Sequence, residues 1–104
     1  MIVMSSDGNW NLVISTPMGE RQATLSVQAN GVVLTGSQAA EGKSAEIFDG
    51  HLNGDKMLWK VSITDPMPMI LEFSGTLQGD SIRGTVVFGA FGSSYFSGKR
   101  TGGA

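Results

Sequence analysis

The chain has 104 residues, which is enough for one domain built around a single hydrophobic core. Its formal charge is −2 and its seven Lys and Arg residues are scattered along the sequence, so we expect no nucleic-acid partner. It contains no cysteine, which excludes disulfides, thiolate catalysis and cysteine-based zinc sites and is compatible with the cytoplasmic location that we expect.

The chain begins with MIVMSSDG, which has no basic segment and only four apolar residues before the serines. We therefore expect neither a signal peptide nor a membrane span. Short alternating runs of apolar and polar residues follow, and fifteen glycines are too many for a helical protein. Eight strands are predicted, at residues 9–16, 21–29, 32–37, 44–52, 57–64, 69–77, 81–89 and 94–100. Residues 1–104 then form one domain, with flexible termini at 1–7 and 101–104.

Three hairpin turns fix the predicted strand registers. Asn30-Gly31 favours a type I′ turn, which pairs Val27 with Leu34. The phrases GHLNGDKM (50–57) and GTLQGDSI (75–82) repeat one another and predict two further hairpins with four-residue connections. Their pairs are Leu52 with Met57, Gly50 with Trp59 and Phe48 with Val61, then Leu77 with Ile82, Gly75 with Gly84, Phe73 with Val86 and Leu71 with Phe88. Each register puts large apolar residues on one face.

The two Gly-Asp phrases are better explained as turns than as metal sites. Calcium takes six to eight oxygen ligands, whereas each phrase offers one carboxylate, Asp55 or Asp80. The only histidine, His51, falls on the outer face of its strand beside Asp49 and Leu58, where water would have free access. We therefore predict no metal, no cofactor and no catalytic triad.

All three tight turns lie at one end of the predicted meander, and the longer connections lie at the other. A consecutive antiparallel meander with one apolar face removes its exposed edges by closing. The predicted fold is therefore all-β, an eight-stranded antiparallel up-and-down barrel. A two-sheet sandwich is the alternative, and the absence of long crossover connections disfavours it.

Two motifs at the tight-turn end carry a family resemblance. The first strand opens with Gly8-Asn9-Trp10, and the last ends with Gly98-Lys99-Arg100. A Gly-x-Trp motif on the first strand, with a basic residue of the last strand over the tryptophan, resembles the calycins, meaning lipocalins, fatty-acid-binding proteins and avidins. The resemblance implies a calycin-like barrel. The spacing of glycines along the chain is also similar to that of small bacterial barrel domains without an assigned activity. The avidin pattern of biotin contacts is not present, so the resemblance does not imply biotin.

The end opposite the tight turns is the predicted ligand site. Methionines 18, 67 and 69 lie in or beside its loops with Phe88 and Phe91, and methionine is common on surfaces that accept varied apolar partners. We predict that a small, largely apolar molecule binds in the lumen, with Arg21 or Glu46 orienting a polar group. The predicted binding residues are Met18, Arg21, Glu46, Phe48, Val61, Ile63, Met69, Leu71, Phe73, Val86 and Phe88.

Three other interpretations of these residues remain open. The loops can simply plug a small barrel. Glu46, whose phase turns it inward with Phe48, can act as the acid or base of a cofactor-free lyase, isomerase or cyclase, or it can form a rim ion pair with Arg21. The outer wall can also be a protein contact, because apolar residues interrupt its polar face. These outward residues are Val13, Val33, Ile47, Leu58, Ile70 and Val87, and they favour a homodimer.

Overall fold

The chain folds into a closed antiparallel barrel of eight strands in which sequence neighbours pair and the last strand pairs with the first. The computed structural model describes residues 8–16, 19–40, 42–64 and 68–102. The strands are β1 (Gly8–Thr16), β2 (Gly19–Asn30), β3 (Val33–Ala40), β4 (Lys43–Asn53), β5 (Lys56–Ile63), β6 (Met69–Gln78), β7 (Ser81–Val87) and β8 (Ser93–Gly102), with a short 3₁₀ helix at Gly89–Phe91. The predicted fold class is confirmed.

Alternating side chains of every strand fill the inside of the barrel. On β1, for example, Trp10, Leu12 and Ile14 are buried while Asn9 and Asn11 are exposed. This period of two is the geometry of a pleated strand with one face on the core. The other buried apolar residues are Ala23, Leu25, Val27, Leu34, Ile47, Met57, Trp59, Val61, Leu71, Phe73, Ile82, Val86 and Phe96.

Each of the three tight hairpins uses a two-residue loop whose first residue is glycine. The loops are Gly31-Val32, Gly54-Asp55 and Gly79-Asp80, flanked by paired residues on both sides. The glycine φ angles are 67°, 63° and 60°, whereas the second loop residues do not have positive φ. Positive φ at the first position alone is typical of a type II′ turn, which matches the twist of the strands it joins. The predicted pairs Leu77–Ile82, Gly75–Gly84 and Phe73–Val86 are confirmed.

The predicted register of the first tight hairpin is wrong by two residues. Asn30 pairs with Val33, so Val27 lies opposite Gly36 rather than Leu34. The sequence favoured Asn30-Gly31 as the loop, but the structure places the glycine first and Val32 second. A shift of two residues preserves the inward and outward faces, so the core prediction survives the error.

A β-bulge in β4 overturns the prediction that Phe48 faces inward. Leu52 pairs with Met57 as predicted, but the register shifts between Phe48 and His51, so that Phe48 faces Lys60 and Ile47 faces Val61. Asp49 has a φ of 53°, in the left-handed region. One extra residue in a strand exchanges its two faces. Ile47, predicted to point outward, is therefore buried, and Phe48 is 37% exposed on the outer wall.

Backbone hydrogen bonds hold the tight-turn end together. Each turn bonds to the second strand that follows it along the chain, so the β2–β3 turn bonds to β4, the β4–β5 turn to β6 and the β6–β7 turn to β8. The second residue of each loop offers its carbonyl oxygen to a backbone N–H of that strand. The bonds are Leu52 N to Val32 O at 2.8 Å, Leu77 N to Asp55 O at 2.7 Å and Arg100 N to Asp80 O at 2.8 Å. The repeated Gly-Asp phrase therefore has a structural role, because its aspartates supply carbonyls that hold neighbouring hairpins together.

Arg100 covers the bottom of the barrel. It pairs with Trp10 across β8 and β1, and its guanidinium carbon lies 4.6 Å from the centroid of the indole ring. Its Nε also donates to Oδ1 of Asp80 at 2.8 Å. A cation over an aromatic face is attracted by the ring quadrupole, and the aliphatic stem of arginine excludes water. The predicted contact between the basic residue of the last strand and Trp10 is confirmed.

We predict that Arg100→Ala lowers the free energy of unfolding by about 1–2 kcal/mol, because it removes the cation and the stem that cover Trp10. Urea denaturation followed by tryptophan fluorescence measures the change. Arg83→Ala, on the exposed face of β7, is the matched control and should stay within about 0.5 kcal/mol of wild type. Equal effects of the two substitutions would show that the cover contributes nothing specific.

Candidate functional site

Three apolar side chains at the open end of the barrel are only partly buried. Ile63 and Met69 pair at the ends of β5 and β6, and Phe88 follows β7. All three are half-buried and pack against the core. Beneath them Val61 and Leu71 are buried and pair across the same two strands. The inward positions predicted for Val61, Ile63, Leu71 and Phe88 are confirmed, and with Met69 these residues form an apolar mouth.

An aromatic cluster forms the floor beneath this mouth. Trp59 and Phe73 stack with ring centroids 4.9 Å apart and planes 3° apart. The Phe96 ring meets both edge-on, with centroids 5.6 Å from Trp59 and 5.2 Å from Phe73. Such offset and edge-to-face contacts are favoured by aromatic quadrupoles. A Cβ at Gly75 would lie 2.9 Å from Cζ of Phe96, so the glycine provides the space that the ring occupies.

Gln38 is the buried polar side chain among the residues that the structure describes. It is 8% exposed, and its Oε1 accepts a hydrogen bond of 2.9 Å from Nε1 of Trp59. Its cross-strand neighbours are Leu25 on β2 and Ala45 on β4. The amide thus lies in the lumen next to the aromatic floor and orients the indole of Trp59.

The polar residues predicted to converge at the mouth do not do so. Glu46 is exposed on the outer face of β4, because the bulge that buries Ile47 also reverses its direction. Arg21 pairs with Ile14 near the open end of β2 and is exposed at the rim. Thr16, which shares the phase of Ile14 and is therefore also predicted to point toward the mouth, donates its hydroxyl hydrogen to the carbonyl of Gly19 within the same hairpin. Glu46 is therefore not in an apolar mouth, which was the reason for proposing it as a catalytic group.

The remaining predicted binding residues lie deeper or outside the described structure. Phe73 belongs to the aromatic floor, and Val86 is fully buried opposite it. Met18 lies outside the residues that the structure describes, as does Met67. The site that the structure supports is therefore narrower than the predicted set and contains no ionisable side chain among its buried members.

The outer wall of the described structure carries a groove of about 810 Å³ that crosses β6, β7, β8, β1 and the start of β2, and Tyr95, Arg83 and Glu20 are among its lining residues. A smaller groove, of about 400 Å³, runs over β1, β2 and β3. In the part of the chain that the structure describes, no group of three or more His, Asp or Glu residues is placed to hold a metal ion. Within the same residues, no helix is long and apolar enough to cross a membrane.

Sequence reasoning missed Gln38 and Phe96, although both follow the alternation. Gln38 continues the inward phase of Leu34 and Gly36, but the predicted strand ended at residue 37, three residues before the observed end at Ala40. Phe96 has the same phase as Gly98 on β8. Extending the third predicted strand by one position would have found Gln38, whereas Phe96 already lay within the predicted strand 94–100 and its inward phase follows from that of Gly98.

Comparison with known proteins supports the fold and adds no function. A redesigned β-barrel of known structure matches this chain with a TM-score of 0.70 and 13% sequence identity, over 93% of this chain and 91% of that chain. At this level of identity the likeness shows the fold alone. No family model matches the chain, and no curated protein matches it.

The hydrogen bond between Gln38 and Trp59 should appear in a double-mutant cycle. We predict that Gln38→Met lowers the free energy of unfolding by about 1–3 kcal/mol in the wild type, because the buried indole N–H loses its acceptor. In a Trp59→Phe background that N–H is absent, and the same substitution should cost close to nothing. Urea denaturation of the four proteins measures the coupling.

Gln28→Met provides the control for this cycle. Gln28 is exposed on β2, so the same chemical change there should be nearly neutral in both backgrounds. Additive effects of Gln38→Met and Trp59→Phe would contradict the inferred role of the amide.

Proposed function

We propose that this protein binds a small, largely apolar molecule in the open half of its barrel. The proposal depends on three half-buried apolar side chains, Ile63, Met69 and Phe88. They lie above the buried pair Val61 and Leu71. Burial of apolar surface contributes roughly 25 cal/mol per Å², so a ligand that covers these side chains gains affinity from the hydrophobic effect. Concave, mostly apolar sites with few polar groups are the usual form of small-molecule pockets.

The chemistry of the lumen favours binding over catalysis. General acid–base catalysis needs a titratable group within hydrogen-bond reach of the reacting atom. The buried residues among those described are apolar apart from Gln38, whose amide does not titrate. The site as described therefore offers apolar contacts and one neutral polar group.

A calycin-like design is part of the same proposal. Arg100 over Trp10 closes one end of the barrel, and the apolar mouth lies at the other. A barrel with one closed and one open end presents a single entrance to its lumen, and eight-stranded barrels can hold one small ligand. The closed end supports this assignment because it contains the motif residues on which the resemblance depends.

Binding can be tested with N-phenylnaphthylamine, a neutral apolar dye whose fluorescence rises in apolar surroundings. We predict saturable binding to the wild type and an affinity at least about tenfold weaker in Ile63→Asn, because the inward isoleucine loses its apolar contact with the dye. Fluorescence titration measures both affinities, and circular dichroism confirms that each variant is folded at the titration temperature.

Ile70→Asn is the matched control for this titration. Ile70 lies one residue beyond Met69 on β6 but faces outward, where it is 45% exposed. Its replacement should leave dye affinity unchanged. Equal loss of affinity in both variants, or no saturable binding to wild type, would overturn the proposed function.

A second function is supported by the outer wall, which we propose binds a second copy of this chain. Five of the exposed large apolar residues lie on adjacent strands from β3 to β7, namely Val33, Phe48, Leu58, Ile70 and Val87, whereas Val32 lies in a turn and Tyr95 on β8. Lys60 and Glu72 pair across β5 and β6 in the same region. In a twofold dimer, residue i of one copy meets residue j of the other and the reverse. Lys60, whose Nζ lies 3.4 Å from Oδ2 of Asp49 in the same chain, can also meet Glu72 of the other copy, so the apolar surface carries opposite charges that can pair across the twofold axis.

Size-exclusion chromatography with light scattering tests the dimer. We predict that the wild type has twice the 10.9 kDa mass of the chain and that Leu58→Asp is monomeric, because it buries a charge in the interface. Thr24→Asp introduces the same charge on the exposed face of β2 and should remain dimeric. A monomeric wild type would end this proposal.

A further inference from the structure

The side-chain amide of Gln38 has unused hydrogen-bonding capacity in the lumen. A glutamine side chain provides two N–H donors and a carbonyl acceptor. The Oε1 atom accepts the Trp59 N–H at 2.9 Å. Among the residues that the structure describes, Gln38 makes no hydrogen bond through its Nε2. Gln38 is only 8% exposed, so little of its surface is open to bulk water.

Buried donors without an acceptor are rare because their desolvation is not compensated. The two cross-strand neighbours of Gln38 on the inner face, Leu25 and Ala45, have apolar side chains and supply no acceptor. The hydrogen bond to Trp59 fixes the orientation of the amide, since it assigns the oxygen to the indole and leaves the nitrogen turned away from it. The free donors are therefore held in a defined direction rather than left to rotate.

Gln38 also lies at a depth that a ligand entering the mouth can reach. It is two residues from the end of β3 at Ala40, which corresponds to about 7 Å along the strand at roughly 3.3 Å per residue. The aromatic floor of Trp59, Phe73 and Phe96 lies next to it. A ligand that fills the open half therefore places its inner end beside this amide.

We propose that Gln38 selects ligands that carry a neutral hydrogen-bond acceptor, such as a ketone, ester or amide carbonyl, near the end that enters first. This inference rests on the proposed binding function and adds the chemical class of the ligand. A neutral acceptor fits better than a carboxylate, because the other buried side chains among the described residues are apolar and offer no countercharge. A site with a buried donor rejects an analogue that lacks the acceptor, since the donor is then left unpaired.

The experiment uses two probes that differ in a single atom group. Heptyl methyl ketone carries the acceptor, and the matching alkene has a methylene group in place of the ketone oxygen. Competition with N-phenylnaphthylamine gives the dissociation constant of each probe. Because the alkene is more apolar, the informative quantity is the change in the ratio of the two constants between wild type and variant.

In Gln38→Met, the ketone should lose roughly fivefold to tenfold in affinity relative to the alkene, which is the effect of one neutral hydrogen bond. Gln28→Met, the same change on the outer wall, should leave the ratio at its wild-type value. NMR of the unaltered protein gives a readout that does not depend on a variant. The side-chain N–H₂ signals of Gln38 should shift downfield with the ketone and not with the alkene.

The outcomes separate this inference from the proposed function. One outcome is that both probes bind while the ratio of their dissociation constants is the same in wild type and Gln38→Met and the Gln38 N–H₂ signals do not shift. In that case the proposed selectivity for an acceptor is wrong, whereas the proposed binding in the lumen is retained. That result would indicate that a buried water satisfies the amide. If neither probe displaces the dye and the dye itself does not bind, the proposed function fails and this inference fails with it.

Discussion

The pairing of the first and last strands is the constraint on which the rest of the structure depends. β1 runs beside β8 from Trp10 opposite Arg100 to Ile14 opposite Phe96, and this ladder converts an open meander into a barrel. An open sheet of this length would leave two rows of unpaired backbone groups and an apolar face in water. Closure removes both costs together. Closure also separates an interior from an outer wall, and a small molecule can reach that interior through one of the two ends of the barrel.

The two ends differ because their connections differ. At one end, two-residue type II′ loops bring strands together so tightly that the loop carbonyls of Val32, Asp55 and Asp80 bond to the strand after next. Arg100 lies over Trp10 beneath them. The side chains and backbone groups at this end therefore make their contacts with one another. At the other end, the β5–β6 and β7–β8 connections have five residues each (64–68 and 88–92), and there the inward side chains of Ile63, Met69 and Phe88 are only half-buried.

The alternation of residues predicted the strands, the closure and most of the core, because burial of one face is enforced everywhere along a barrel. It failed where the backbone departs from that period. The loop Gly31-Val32 moved a register by two without changing any face. The bulge at Asp49, in contrast, exchanged the faces of β4, which turned Phe48 and Glu46 outward. A bulge depends on how the whole sheet curves, so a local pattern does not reveal it. Gln38 was missed for a simpler reason, since the predicted strand ended at Ser37 and Gln38 was assigned to the connection that follows it.

These departures also explain the character of the lumen. With Glu46 outside, the buried polarity in the described lumen is reduced to the amide of Gln38, which bonds to Trp59 and leaves its nitrogen free. A carboxylate buried at this depth would need a nearby cation, or would have to bind a proton, to offset the cost of desolvating its charge. An amide is neutral and needs only hydrogen-bond partners. The same bulge that removes a catalytic possibility therefore leaves a neutral site. In the function that we propose, such a site would distinguish ligands by whether they accept a hydrogen bond, while the apolar mouth above it would set how much of the ligand is buried.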